Sequence, residues 1–133
     1  MAASCKWPTY MRANLLSGTN LRLRMTPERS RSLGVVTSIS HVVLVSWKSG
    51  KEIQAEELVR PAIRGFVGTI PGVLAVVEGH SSSPEGLEDG YDYGFVVTFA
   101  TAQARDAYLN DPSHRPVADA IGASAQRIIV FDI

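Results

Sequence analysis

The sequence predicts an α+β fold, and three observations carry that expectation. Short β-branched and aromatic runs recur four times between Ile39 and Ile133. One long stretch between the first two runs repeats its apolar residues at three- and four-residue spacing instead. Clusters of Gly, Pro, Ser and Asp separate the runs and mark where the chain turns.

Ile39–Lys48 (ISHVVLVSWK) reads as the first strand and ends at Ser49–Gly50. Alternation puts His41, Val43, Val45 and Trp47 on one face and Val42, Leu44 and Ser46 on the other, so both faces need cover. From Lys51 to Ile70 the spacing of Ile53, Leu58, Ala62, Ile63, Phe66, Val67 and Ile70 predicts a helix. Pro61 falls inside it. Its missing N–H and its ring predict a kink there, or a division into two shorter helices. Pro71–Gly72 ends the element, and Val73–Gly79 reads as the second strand.

His80–Gly90 is a loop of Ser, Pro, Gly and acidic residues. Tyr91–Thr101 reads as the third strand, with Tyr93, Phe95, Val97 and Phe99 on one face. Ala102–Asn110 is a short helix, 111–114 a turn, and Pro116–Ile121 a further helical turn. Arg127–Ile133 closes the chain as the last strand. The order is β-α-β-β-α-β, the ferredoxin-like arrangement with a four-stranded antiparallel sheet. Two helices cover one face of such a sheet. The other face carries large apolar side chains, which predicts a second copy of the chain packed against it.

The 133 residues suit one domain of ordinary size, and 13 basic against 13 acidic side chains argue against a dedicated nucleic-acid binder. That balance hides an asymmetry. Residues 1–38 hold six Lys/Arg and one acid, Glu28, whereas residues 39–133 hold seven basic and twelve acidic side chains. The basic head shows no sustained apolar period. Three readings stay open for it: a disordered tail, an extension upstream of a start at Met25, or an organelle transit peptide. It is given no catalytic role. Cys5 is the one cysteine, so no intramolecular disulfide and no Cys-based zinc site forms within the chain. No apolar run approaches the about 20 residues of a membrane span, and a cytoplasmic location is the expectation.

Five segments of the body carry a resemblance: ISHVVLVSWK, IPGVLAVVEG, SSSPEGLEDGYDYGFVVTFAT, ARDAYLNDPSHRPVAD and IIVFDI. In this order they resemble the stress-responsive A/B barrel (Dabb) family across residues 39–133. The most specific pieces are His41, the run Tyr108–His114 with Pro112 inside it, and Phe131–Asp132. The resemblance implies a homodimer whose sheets face each other as a dimeric α/β barrel, with a small apolar cavity between sheet and helices. It further implies a hydrophobic, ketone-bearing small-molecule ligand. A polyketide cyclase of the family works by intramolecular aldol condensation without a cofactor. Its catalytic histidine and tyrosine fall on His114 and Tyr108, and a further pocket histidine falls on His41. Phe95 and Ile63 complete the implied pocket; the cyclase has a tyrosine where this chain has Ile63, so a shared substrate does not follow. Two other functions remain open on the same fold: a non-enzymatic stress-associated dimer and a cofactorless monooxygenase.

The chemistry of these residues admits two readings each. His114 follows an Asp-Pro-Ser turn, where an imidazole of ordinary pKa about 6.5 can move a proton between carbon and oxygen. It can equally pin the turn to a carbonyl. Tyr108 can donate to a developing oxyanion, or serve as a core aromatic. His41 shares a face with large apolar side chains and so needs a hydrogen-bond partner, whether structural or in a pocket. His80 is expected in solvent. Glu85, Glu88, Asp89 and Asp92 lack the spacing of a calcium loop, and Gly86, Gly90 and Gly94 lack the strand and helix of a phosphate loop. The three histidines have no i, i+4 spacing, so no catalytic zinc is expected. No Gly-Xaa-Ser-Xaa-Gly elbow is present.

Overall fold

The computed structural model describes residues 37–133. The expectations placed on the basic head, residues 1–38, therefore fall almost wholly outside the described residues. The elements are β1 (Ile39–Trp47), α1 (Glu52–Arg64), β2 (Val73–His80), β3 (Tyr93–Phe99), α2 (Ala102–Leu109), α3 (Arg115–Ser124) and β4 (Ala125–Asp132). The strands form one antiparallel sheet in the order β2-β3-β1-β4, the ferredoxin-like topology. Among the described residues no helix is long and apolar enough to cross a membrane.

Four elements differ from the sequence expectation. α1 runs unbroken through Pro61 and stops at Gly65, whose N–H reaches back to the carbonyls of Pro61 and Ala62. Pro61 is exposed in the last turn, where water can serve the carbonyl that its ring deprives of a donor. Beyond it, residues 65–70 form hydrogen-bonded turns rather than more helix. The stretch after His114 is a full 10-residue helix, α3, with Pro116 in its first turn, where a missing N–H costs nothing. β4 starts at Ala125, and β3 starts at Tyr93, each two residues away from its expected beginning.

The core lies between the sheet and α1. Val43, Val45 and Trp47 of β1 and Tyr93, Phe95, Val97 and Phe99 of β3 all point inward and are buried. They meet Ala55, Val59 and Ile63, a narrow stripe at four-residue spacing that Phe66 and Ile70 extend. Ile53, Leu58 and Val67, expected on that stripe, face solvent instead. Thr101 caps α2 by accepting the Ala104 N–H at 3.1 Å. Gly72, at φ +83°, packs so closely on α2 that any Cβ there would collide with the Ala104 methyl. That contact fixes α2 over one end of the sheet.

Candidate functional site

A cavity of about 230 Å³ opens between the sheet and helices α2 and α3. Its polar lining consists of His41, Tyr108 and His114; the rest is apolar, including Phe95, Leu109 and Ile121. Ile128 and Val130 of β4 line it while staying about half exposed, so the cavity reaches solvent along the β4 edge.

Local structure aims His114. The Asp111 carboxylate accepts the Ser113 N–H at 2.8 Å, which tightens the turn through Pro112. The His114 N–H then donates to the Asp111 carbonyl at 3.0 Å, and the His114 carbonyl accepts the first N–H groups of α3, from Val117 and Ala118, at 3.1 Å. With its backbone held, the ring turns inward to lie 4.2 Å from the Tyr108 ring centroid. Nδ1 of His114 is buried and has no hydrogen-bond partner among the described residues. Burial pushes its pKa below the usual 6.5 and the nearby His41 adds to this, against the opposing pull of the Leu109 carbonyl and Asp111. An uncharged imidazole carries one N–H donor and one free lone pair, so the shift favours a ring able to take a proton.

Tyr108 is 1% exposed and wedged between Phe99, Phe66 and the two imidazoles, with its centroid 4.9 Å from Phe99 and 5.7 Å from His41. Burial drives its pKa upward, so the phenol keeps its proton. His41 is anchored differently. Its Nδ1 lies 2.7 Å from Oδ1 of Asp132, its direct cross-strand neighbour on β4, and the other Asp132 oxygen pairs with Arg105 of α2. Burial raises the Asp132 pKa, but the bonds and charges of His41 and Arg105 outweigh it and hold the carboxyl below its usual range.

The fold thus brings His41, Tyr108, His114 and Phe95 to one cavity. Ile63 is fully buried in the core and is not among the residues lining that cavity. Asp132 and Arg105 were not singled out for a role. The available signal was the one carboxylate of the terminal strand, but its partner lies 91 positions away. His80 ends β2 rather than opening the loop; its side chain is about half exposed, yet Nε2 meets Oε2 of the buried Glu56 at 2.9 Å. Glu56 also accepts the Trp47 indole N–H at 3.1 Å. Among the described residues no group of three or more His, Cys, Asp or Glu side chains is placed to hold a metal ion.

The family model described as the stress responsive A/B barrel domain matches residues 39–133. Stress-response A/B barrel domain-containing protein HS1 of Arabidopsis thaliana is 29% identical over 94 residues, covering 71% of this chain and 86% of that protein. Olivetolic acid cyclase of Cannabis sativa is 24% identical over 96 residues, covering 71% of this chain and 94% of the cyclase. Among solved structures, a dimeric ferredoxin-like protein of unknown function from Jannaschia sp. CCS1 superposes with a TM-score of 0.68 at 24% identity, over 73% of this chain and 98% of its own.

Proposed function

The chain belongs to the stress-responsive A/B barrel domain family, and from that footing we propose that it is a homodimer whose cavity binds a small hydrophobic ketone and closes it by intramolecular aldol condensation. The observation that carries this reading is the meeting of the His114 and Tyr108 rings, 4.2 Å apart in the wall of one cavity, with a phenol that burial keeps protonated. The similarity to olivetolic acid cyclase supports the reaction class, and the dimeric neighbour from Jannaschia supports the assembly.

In this mechanism neutral His114 takes a proton from a CH2 flanked by two carbonyls. The electron pair left on that carbon attacks a further carbonyl carbon, distant along the same chain, forming the ring C–C bond as that C=O π bond opens. Tyr108 donates a hydrogen bond to the oxygen where charge develops, and His114 returns its proton to that oxygen. Loss of the new hydroxyl as water, together with the remaining hydrogen of the attacking carbon, completes the condensation with no redox change and no added co-reactant. His41, held by Asp132, orients a second ligand oxygen at the cavity wall. At about 30 Å³ per water-sized group, 230 Å³ holds roughly eight such groups, the size of one substituted six-membered ring. The apolar lining selects a ring without charge.

The test is turnover of linear acyl compounds with carbonyls at carbons 1, 3, 5 and 7, in which the CH2 at carbon 2 can close a six-membered ring on carbon 7, followed by mass spectrometry and absorbance. Wild type should cyclise members of the panel, and His114→Ala should not, with its circular dichroism unchanged. Turnover that survives in the variant removes His114 from the chemistry.

A further inference from the structure

Two imidazoles line the cavity, and they enter it from different walls. His41 stands on β1, in the sheet, whereas His114 stands at the start of α3, next to Tyr108 at the end of α2. The Tyr108 ring centroid lies 5.7 Å from that of His41 and 4.2 Å from that of His114, so the phenol sits between the two. Their surroundings differ in kind. Burial opposes a positive charge on His114. His41 instead has Oδ1 of Asp132 at 2.7 Å from its Nδ1, and that carboxyl is held below its usual range. A carboxylate only accepts, so Nδ1 carries the proton, and an uncharged ring then has its free lone pair on Nε2. A charge gained by this ring forms against Asp132, as it does in a Ser-His-Asp triad. Arg105 holds the other Asp132 oxygen and fixes the direction of the carboxylate. Nε2 of His41 makes no hydrogen bond among the described residues.

We propose that His41 is a second catalytic residue, the base that expels water from the closed ring. The inference rests on the ring closure proposed above. A lone pair on Nε2 holds a ligand oxygen only through a proton on that oxygen, so the ligand meets His41 as an enol. After closure, carbon 2 keeps one hydrogen and carbon 7 carries the new hydroxyl. In the enol form that hydrogen sits on the oxygen of carbon 3, facing Nε2. His41 takes it as a proton, and the O–H electron pair forms the carbonyl at carbon 3. The π pair between carbons 2 and 3 becomes the π bond between carbons 2 and 7, and hydroxide leaves carbon 7 with the C–O pair. The imidazolium passes its proton to the hydroxide, and water departs. Nothing is oxidised or reduced, and His41 ends as it began. Asp132 is the positioning residue of this step. It sets which nitrogen is free and stabilises the charge on the ring while the C–O bond breaks.

The ratio of two products tests the step. Wild type, His41→Asn, Asp132→Asn and His114→Ala are given the same acyl compounds with carbonyls at carbons 1, 3, 5 and 7. Products are separated and weighed by mass spectrometry, with circular dichroism as the check on folding. An asparagine at position 41 keeps an N–H donor for Asp132 and has no basic lone pair. Wild type should release the dehydrated ring. His41→Asn should release a closed ring that keeps its hydroxyl, heavier by one water, with dehydrated ring forming about 10²-fold more slowly. His114→Ala should release neither. A structural role for His41 lowers both products together and leaves their ratio as in wild type. That result, or dehydrated ring alone at the wild-type rate, overturns the role of His41 and leaves closure by His114 standing. If His41→Asn does not fold, Asp132→Asn decides: a product ratio equal to that of wild type refutes the step. A wild type that closes no ring overturns both proposals.

Discussion

His41 on β1 and Asp132 on β4 stand directly opposite each other and are joined from Nδ1 to Oδ1 at 2.7 Å. The pair closes the inner face of the sheet at the end where the cavity lies, and Arg105 reaches from α2 to hold the carboxylate from its other side. Strand, strand and helix are thereby linked through one side chain. The site is built on the sheet and not on a loop alone, which gives its groups fixed directions.

Asp132→Asn keeps the shape of that link and removes its charge. A carboxyl held below its usual range adds stability above its unfolded pKa of about 3.9, and loses it as pH falls through the lower folded value. Thermal melts should therefore show wild type more stable near neutral pH, with the gap to Asp132→Asn narrowing below about pH 4. A gap that stays constant into acid contradicts this account of the carboxylate.

The pH dependence of turnover should carry the mark of His114. The base must be neutral, and burial has pushed its pKa downward, so the rate should hold steady as pH drops through about 6.5 and decline only below it. An acid limb centred at or above about 6.5 assigns the titration to a group other than a buried His114.

Tyr108 separates packing from chemistry. Tyr108→Phe keeps the ring among Phe66, Phe99 and His114 and should change stability by less than about 1 kcal/mol, while turnover falls about 10²-fold or more. Tyr108→Ala empties a fully buried site and should cost about 3–5 kcal/mol in denaturant unfolding. Unchanged turnover in Tyr108→Phe leaves the tyrosine a packing residue only.

Ile63→Tyr examines the difference from the cyclase. Ile63 is 0% exposed and packs in the core, so a phenol there should destabilise the fold by about 1–3 kcal/mol. It should leave the dimensions of the His114 cavity unchanged, which ligand affinity would read out. A stable variant with altered ligand preference places position 63 in the working pocket after all.

Much of this arrangement was legible in the sequence, for definable reasons. Alternation alone put His41 with Val43, Val45 and Trp47, and Tyr93 with Phe95, Val97 and Phe99, because a strand has a fixed period of two. Helical spacing was less faithful. Ile53 and Leu58 fit a three- and four-residue count yet lie in solvent, since the real stripe follows Ala55, Val59 and Ile63. Pro61 does not divide the helix because its cost depends on what surrounds the freed carbonyl, and Pro61 stands at the exposed surface. The His41–Asp132 and His80–Glu56 contacts depend on strand register and helix position, neither of which a local pattern contains. The meeting of Tyr108 and His114 is a local matter of one helix end and one turn, and the resemblance pointed to it; the unpartnered Nδ1 appears only in three dimensions.

The most direct measurement is calorimetric binding of linear β-diketo acyl compounds and planar phenols to wild type and His114→Ala, compared at one pH. The account predicts saturable binding of one ligand per subunit by wild type, weakened by about tenfold when the imidazole is removed and its hydrogen bond to the ligand is lost. Equal affinity in the two proteins, or no binding by either, contradicts the assignment of this cavity as the working site.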